Sequence, residues 1–480
     1  MGTRISGHSC PQAACLVEAG LQSHVFTPQD PAYQTSEDSY FSNTAKLGPA
    51  CIFIPESAEQ VSIAIKALAA AKQTFAIRSG GHAPAPGSND INGGVTIDLS
   101  NLKSVQYDCD SQRVTFGPGV RWKHVYLELE KYDRVVAGGR EGETGVAGFL
   151  LGGGNTWFTA HKGFACDNVV SYQVVLADGQ VIIAKQDVHP DLFRALKGGS
   201  NNFGIVTSFT MSTIPYKPIW GGTIMASKEY VPDAIRATAN FATNLPNYPE
   251  SSLIAAVNYI PQAKDIITGA ALVHTQGMTD SPAFAEWSKL PKMRDTTKLK
   301  SMLDMGLETA LPQNKYATWF TLTIKNDTRI MNKAVEVHNV LVDDLKAHIP
   351  DGEFNTQCIF QPLPMTFAQH SVEIGGNILG IERNKFDGLI FQLNTMVNTS
   401  DQNEFAHQRV KASIETIKEF AGTIEGGLLD WIYINYADPG QDPLGSYGAG
   451  NVSFMKKVAA TYDPDRVFQT LCPGGFKLPK

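Results

Sequence analysis

Apolar positions recur at i, i+3 and i+4 through residues 57–72, between two short apolar runs at 50–54 and 74–78. The first period is that of an amphipathic helix and the short runs read as strands, which predicts a β-α-β unit ending in a glycine loop. Further short strands follow in "GVTIDLS" and "RVTFGPGV", with a helix near 121–131. The stretch "VSYQVVLADGQVIIA" (170–184) predicts a hairpin around an Asp-Gly turn, and 203–215 another strand. From about 216 the texture changes. Helical periods over 280–291, 328–348 and 402–421 alternate with strands at 317–324 and 388–397, as in a second domain with its own antiparallel sheet. The pattern divides the chain into a polar, irregular segment 1–44, an α+β unit 45–215, a second α+β domain 216–425 and a tail 426–480 rich in Tyr and Asn.

Composition narrows the class. The 480 residues are 43% hydrophobic and 18% charged, enough for an ordinary core. The net charge is 40 − 47 = −7, and Lys and Arg do not cluster, which argues against nucleic acid as a partner. No apolar run reaches the roughly 18 residues of a membrane span. The start "MGTRISGHSC" has no apolar signal-peptide core but fits the loose myristoylation pattern; a processed chain behind an added Met-Gly is the preferred reading. Seven cysteines show no metal-ligand spacing, so no metal is expected. Cys15 and Cys51 flank the N-terminal segment, where a disulfide staple and two buried thiols are both open. Sequons at Asn326, Asn398 and Asn451 permit secretion.

Chemistry concentrates in two glycine-rich places, "AIRSGGH" (76–82) and "LLGGGNTW" (151–158). Glycine serves where a ligand must approach the backbone, so the pair suggests a large ligand, a loop-rich fold, or both. Ser79, Gly80 and Gly81 offer successive N–H groups to a pyrophosphate, with Arg78 orienting the loop. His82 either faces that ligand or is structural. The loop is not G-x-G-x-x-G opening a helix, and neither a phosphate-binding P-loop nor a G-x-S-x-G elbow is present.

Five motifs in order, "RSGGH", a GxxGxxxGGG run, "GFACDNVVSYQVVLADG", "LFRALKGGSNNFGIVTSF" and "YINY…YDPDRVF", resemble the berberine-bridge-enzyme-like FAD-linked oxidases, fungal type. These belong to the vanillyl-alcohol oxidase/p-cresol methylhydroxylase superfamily. The resemblance runs over about residues 45–476. It implies an α+β fold: a two-part FAD-binding domain (45–215 and 426–480) with an inserted substrate domain of antiparallel sheet backed by helices (216–425), after an extension 1–44. By the same resemblance His82 takes the position of the histidine bonded to the flavin 8α-methyl, and Arg78, Ser79, Gly80 and Gly81 that of the pyrophosphate loop. Gly145, Gly148, Gly152 and Gly153 match the second glycine segment, and Gly204 and Ile205 the adenine-side strand. Ser88, Thr144 and Asn155 fall among the cofactor positions, and Tyr433 and Asn435 in the return that closes over the flavin ring.

Many relatives carry a second, cysteinyl flavin bond. Here Glu141 stands at that position and no Cys lies between Cys109 and Cys166, so a single histidyl link is expected. Loss of the second bond points away from sugars. The leading expectation is hydride transfer from a small alcohol, amine or secondary metabolite to FAD, with O₂ reoxidising the flavin to give H₂O₂. A carbohydrate oxidase, a dehydrogenase with another acceptor and a flavin-binding module without turnover are the alternatives. Tyr433 is the expected base or orienting group. His370 and His161 are the further catalytic candidates, and strand alternation would let "QPLPMTF" and "HSVEIGGN" line the pocket. A secreted monomer is expected, without nucleic-acid or membrane partners.

Overall fold

The computed structural model describes residues 10–479, so the start that fits the myristoylation pattern lies outside the described residues. The predicted β-α-β unit forms. Strands Cys51–Phe53 and Phe75–Arg78 flank Val95–Asp98, both parallel to it, and helix Ala58–Ala70 crosses between them. That helix is capped by Ser57, whose side chain accepts from the Gln60 N–H, and it buries Val61, Ala64, Ile65 and Leu68. The segment read as an irregular extension is instead built into this layer. Strand Val25–Phe26 pairs with Cys51–Phe53, and Tyr33, Tyr40 and Phe41 are buried. Its scattered apolar residues showed no period because they are used singly.

A five-stranded antiparallel sheet follows, in the order Val105–Asp108, Arg113–Phe116, Ile205–Ser212, Val169–Val175, Val181–Lys185. The last two strands form the predicted hairpin, turning at Gly179 with φ of 83°.

The third layer is a nine-stranded sheet, antiparallel throughout, from Ile219–Ser227 to Leu428–Leu429. Helices Val231–Asn244, Thr328–His348 and Ser400–Gly422 back it and share one apolar core with it. Alternation decides which side chains go where. On strand Asn355–Leu363, Cys358 and Phe360 join the helix-side core, while Gln357, Ile359 and Gln361 line a cavity on the other face. On strand Gly388–Val397, Phe391 and Leu393 face the helices, and Gln392 and Asn394 the cavity. Three elements of this domain were not named from the sequence: helix Val231–Asn244 and strands Ser251–Ile260 and Asp265–His274. The expected helix over 280–291 shrinks to a short turn and Ala285–Lys289.

One reading changes and one open question closes. "HSVEIGGN" does not form a strand: residues Thr366–Glu373 are helical, so i, i+2 alternation does not apply to His370 and Glu373. The question left open for Cys15 and Cys51 is decided for thiols: both are free, Cys51 buried and Cys15 half-buried. Burial, the largest influence, pushes the Cys51 thiol far up. Among the described residues no helix is long and apolar enough to cross a membrane, and no group of three or more His, Cys, Asp or Glu side chains is arranged for a metal ion.

Candidate active site

A cavity of about 610 Å³ lies between the first two layers and the large sheet, within the range of cofactor and ligand sites. One side is the loop after strand Phe75–Arg78, and Ser79, Gly80, Gly81 and His82 all line the cavity. Arg78 does not. Its guanidinium is buried in the layer behind, 3.6 Å from Asp98, donating to the Ser36 carbonyl at 2.7 Å and stacked over the Tyr40 ring at 3.7 Å. It therefore holds the loop rather than the ligand.

The second side is the segment 139–149, tied down by Trp122 N–H to the Thr144 carbonyl (3.1 Å) and Gly142 N–H to the Gly306 carbonyl (2.9 Å). The two loops touch backbone to backbone: a Cβ on Gly80 would sit 2.5 Å from the Gly145 Cα, closer than real Cβ atoms approach. Of the second glycine segment, Gly145 and Gly148 line the cavity but Gly152 and Gly153 do not. Gly152 faces the Asn435 side chain, whose oxygen would lie 1.8 Å from an added Cβ, and Gly153 faces Leu379. Their lack of side chains serves packing beneath the site. Ser88, Glu141, Thr144, Asn155, Gly204, Ile205, Tyr433 and Asn435 all line the cavity.

His82 stacks on Phe41, ring centroids 4.3 Å apart and 12° from parallel, and its Nε2 lies 3.3 Å from Glu141 Oε2. The contact lacks hydrogen-bond geometry, and Nε2 is buried with no hydrogen-bond partner. Burial opposes ionisation of Glu141, but His82 and the Thr144 hydroxyl, which donates at 2.6 Å, outweigh it and hold the carboxyl below its usual range. No cysteine lines the cavity.

Across from these stands a polar cluster. Arg140 Nη2 donates to Gln361 Oε1 at 2.6 Å and to the Tyr436 hydroxyl at 2.9 Å, and Gln361 Nε2 approaches that hydroxyl at 3.4 Å. Tyr433 is 1% exposed, and its oxygen accepts from the Asn155 backbone N–H (2.7 Å) and Asn435 Nδ2 (3.1 Å). Burial, then the adjacent Tyr436, pushes the Tyr433 phenol well above its usual range. Tyr433 is thus a neutral strut. Tyr436 is half-buried with its oxygen already receiving hydrogen bonds, so its own proton is directed elsewhere. Arg140, Gln361 and Tyr436 were not singled out individually in the sequence, but Gln361 opens "QPLPMTF", expected to line the pocket, and Tyr436 lies inside "YINY".

The structure does not bring His161 and His370 to the cavity. His161 Nδ1 is bonded to the Pro249 carbonyl at 3.0 Å and His370 Nε2 to the Ala160 carbonyl at 3.1 Å, in a separate contact between two short helices.

The fold and this site define a flavin-dependent oxidoreductase. Residues 49–185 match the FAD binding domain family. The chain is 36% identical over 470 residues to the FAD-dependent monooxygenase drtC of Aspergillus calidoustus, covering 97% of this chain and 90% of that one. It is 31% identical over 472 residues to the bifunctional solanapyrone synthase of Alternaria solani, covering 97% and 89%. Among solved structures, the xylooligosaccharide oxidase of Myceliophthora thermophila superposes with a TM-score of 0.75 at 20% identity, covering 97% and 98%. The 6-hydroxy-D-nicotine oxidase of Arthrobacter nicotinovorans gives 0.76 at 19%, covering 95% and 97%. The chain belongs to the family of these FAD-dependent oxidoreductases, and its fold is that of a berberine-bridge-enzyme-like protein of Physcomitrella patens as well, with a TM-score of 0.73 at 18% identity.

Proposed function

We propose that this enzyme oxidises a small organic alcohol or related metabolite by hydride transfer to FAD held through one covalent bond to His82, with O₂ as the electron acceptor and H₂O₂ as co-product. The observation that carries the reading is the Arg140–Gln361–Tyr436 cluster, which lines the same cavity as His82 and the glycine loops.

The residues present suit the cofactor. Ser79, Gly80 and Gly81 with Gly145 form a side-chain-poor cradle suited to phosphates, Gly204 and Ile205 line the same cavity, and the buried Nε2 of His82 has no hydrogen-bond partner. FAD, when bound, supplies the two-electron chemistry that no side chain here can perform. The chain does the rest. Arg140 and Gln361 fix the Tyr436 oxygen, which in its phenolate form takes the substrate's hydroxyl proton and becomes the neutral phenol, with the Arg140 guanidinium beside it. Tyr433, Asn155 and Asn435 form the rigid wall behind that hydroxyl. Glu141 fills the place next to His82 where doubly linked relatives would need a thiol, which supports the single link.

The test is anaerobic mixing with a panel of alcohols followed by air. Bleaching of the flavin by substrate and one H₂O₂ per substrate on reoxidation is the expected result. Incorporation of labelled oxygen into product without H₂O₂ would replace the oxidase reading with a monooxygenase one.

A further inference from the structure

The cavity face of the large sheet holds one cross-strand row of polar side chains. Asn258 pairs with Gln357, Gln357 with Asn394, and Asn394 with Trp319, on four adjacent strands. All four line the cavity. Asn394 Nδ2 donates to Gln357 Oε1 at 3.0 Å. Its own Oδ1 is buried without a partner, as are Trp319 Nε1 and Asn258 Oδ1. Asn394 is 1% exposed and Trp319 7%, so the sheet holds both rigidly.

An unmet buried polar atom costs about 1–3 kcal/mol, so an acceptor and a donor side by side on neighbouring strands mark a place a ligand completes. The pair selects its ligand. A carbonyl would satisfy only the Trp319 N–H, and an ammonium only the Asn394 oxygen. A hydroxyl donates to one and accepts from the other. The row itself contains no charged side chain, which disfavours an ionic group there. In the neighbouring row Ala256 and Ile359 face the same cavity ahead of Gln392, and Met396 and Leu311 extend the apolar lining beside Trp319. Trp319 also packs edge-on to Tyr436, centroids 6.0 Å apart, which puts the hydroxyl site beside the reacting centre.

We infer that the enzyme takes an uncharged, largely apolar substrate carrying a hydroxyl group besides the one oxidised, and that Asn394 and Trp319 grip that second hydroxyl. This rests on the oxidase reading for the identity of the cavity as the substrate site.

The test uses the flavin-loaded protein under anaerobic conditions and three probes: benzyl alcohol, 4-hydroxybenzyl alcohol and cellobiose, each titrated against the bound-flavin spectrum. One matched hydroxyl contributes about 1–1.5 kcal/mol, so 4-hydroxybenzyl alcohol is expected to bind about tenfold tighter than benzyl alcohol. In Asn394→Leu, and independently in Trp319→Phe, that ratio falls to near one; the second variant keeps the ring, so a folding failure of the first does not end the test. Equal binding of the two alcohols by the wild type, a ratio that survives both variants, or no binding by any probe overturns the inference. Tighter binding of cellobiose than of either alcohol also overturns it, in favour of an oligosaccharide. A tenfold ratio without flavin bleaching by any alcohol would leave the hydroxyl grip standing and refute the oxidase reading instead.

Discussion

His82 Nε2 and Glu141 Oε2 lie 3.3 Å apart in the wall of the cavity, with the imidazole stacked flat on Phe41. The carboxylate orients the ring for the covalent flavin bond proposed at His82. Glu141→Gln keeps the shape and removes the charge. The expected outcome is a several-fold smaller fraction of covalent flavin, read as fluorescence on a denaturing gel, with total bound flavin little changed. His82→Ala should give none. Covalent flavin persisting in His82→Ala would place the link elsewhere.

The two tyrosines of "YINY" should separate by phenotype. Tyr436→Phe removes the hydroxyl held by Arg140 and Gln361, and a lost acid–base group typically costs 10²–10⁴-fold in rate, here the anaerobic flavin-reduction rate. Tyr433→Phe leaves the Asn155 N–H unpaired in a buried wall and takes one of two hydrogen bonds from the Asn435 amide, a cost of about 1–3 kcal/mol in stability. It should lower the melting temperature more than the rate. Reversed phenotypes would return the base role to Tyr433.

Gly80→Ala is expected to abolish flavin loading. The new methyl would meet the Gly145 backbone at 2.5 Å, and neither loop can retreat without opening the cradle. The check is the flavin-to-protein absorbance ratio of the purified variant.

Acid sensitivity should trace in part to His338, buried against the sheet with Nε2 bonded to the Thr356 hydroxyl at 2.7 Å. Burial alone pushes its pKa down from 6.5 to about 3. A depressed histidine stays neutral when folded but protonates when unfolded. Its contribution is complete above pH 6.5 and is lost as pH falls toward 3, by up to about 1.4 kcal/mol per pH unit. His338→Gln should flatten the fall in melting temperature between pH 6.5 and 5. An unchanged slope would refute the assignment.

Much of this was legible in the sequence because it is local. A β-α-β period, an Asp-Gly turn and "RSGGH" each report on neighbours within a few residues, where backbone geometry dictates residue type. Strand alternation likewise let "QPLPMTF" line the pocket, and Gln361, its first residue, does so. The N-terminal segment escaped because its buried aromatics, Tyr33, Tyr40 and Phe41, follow no repeat. His161 and His370 drew attention as lone histidines in polar stretches, yet each is spent on a backbone carbonyl.

By itself the sequence determined the family and pointed to the glycine loops and His82 that line the cavity, since glycine loops and a motif histidine are short-range features. Only the tertiary structure decided what meets across the cavity. Arg140 and Gln361 are 221 residues apart and Gln361 and Tyr436 are 75, on a loop, a strand and the C-terminal return. The Asn394–Trp319 pair likewise exists only through strand register. Periodicity tells which face of an element is turned inward. What stands opposite that face is set by the packing of layers, which no local pattern encodes.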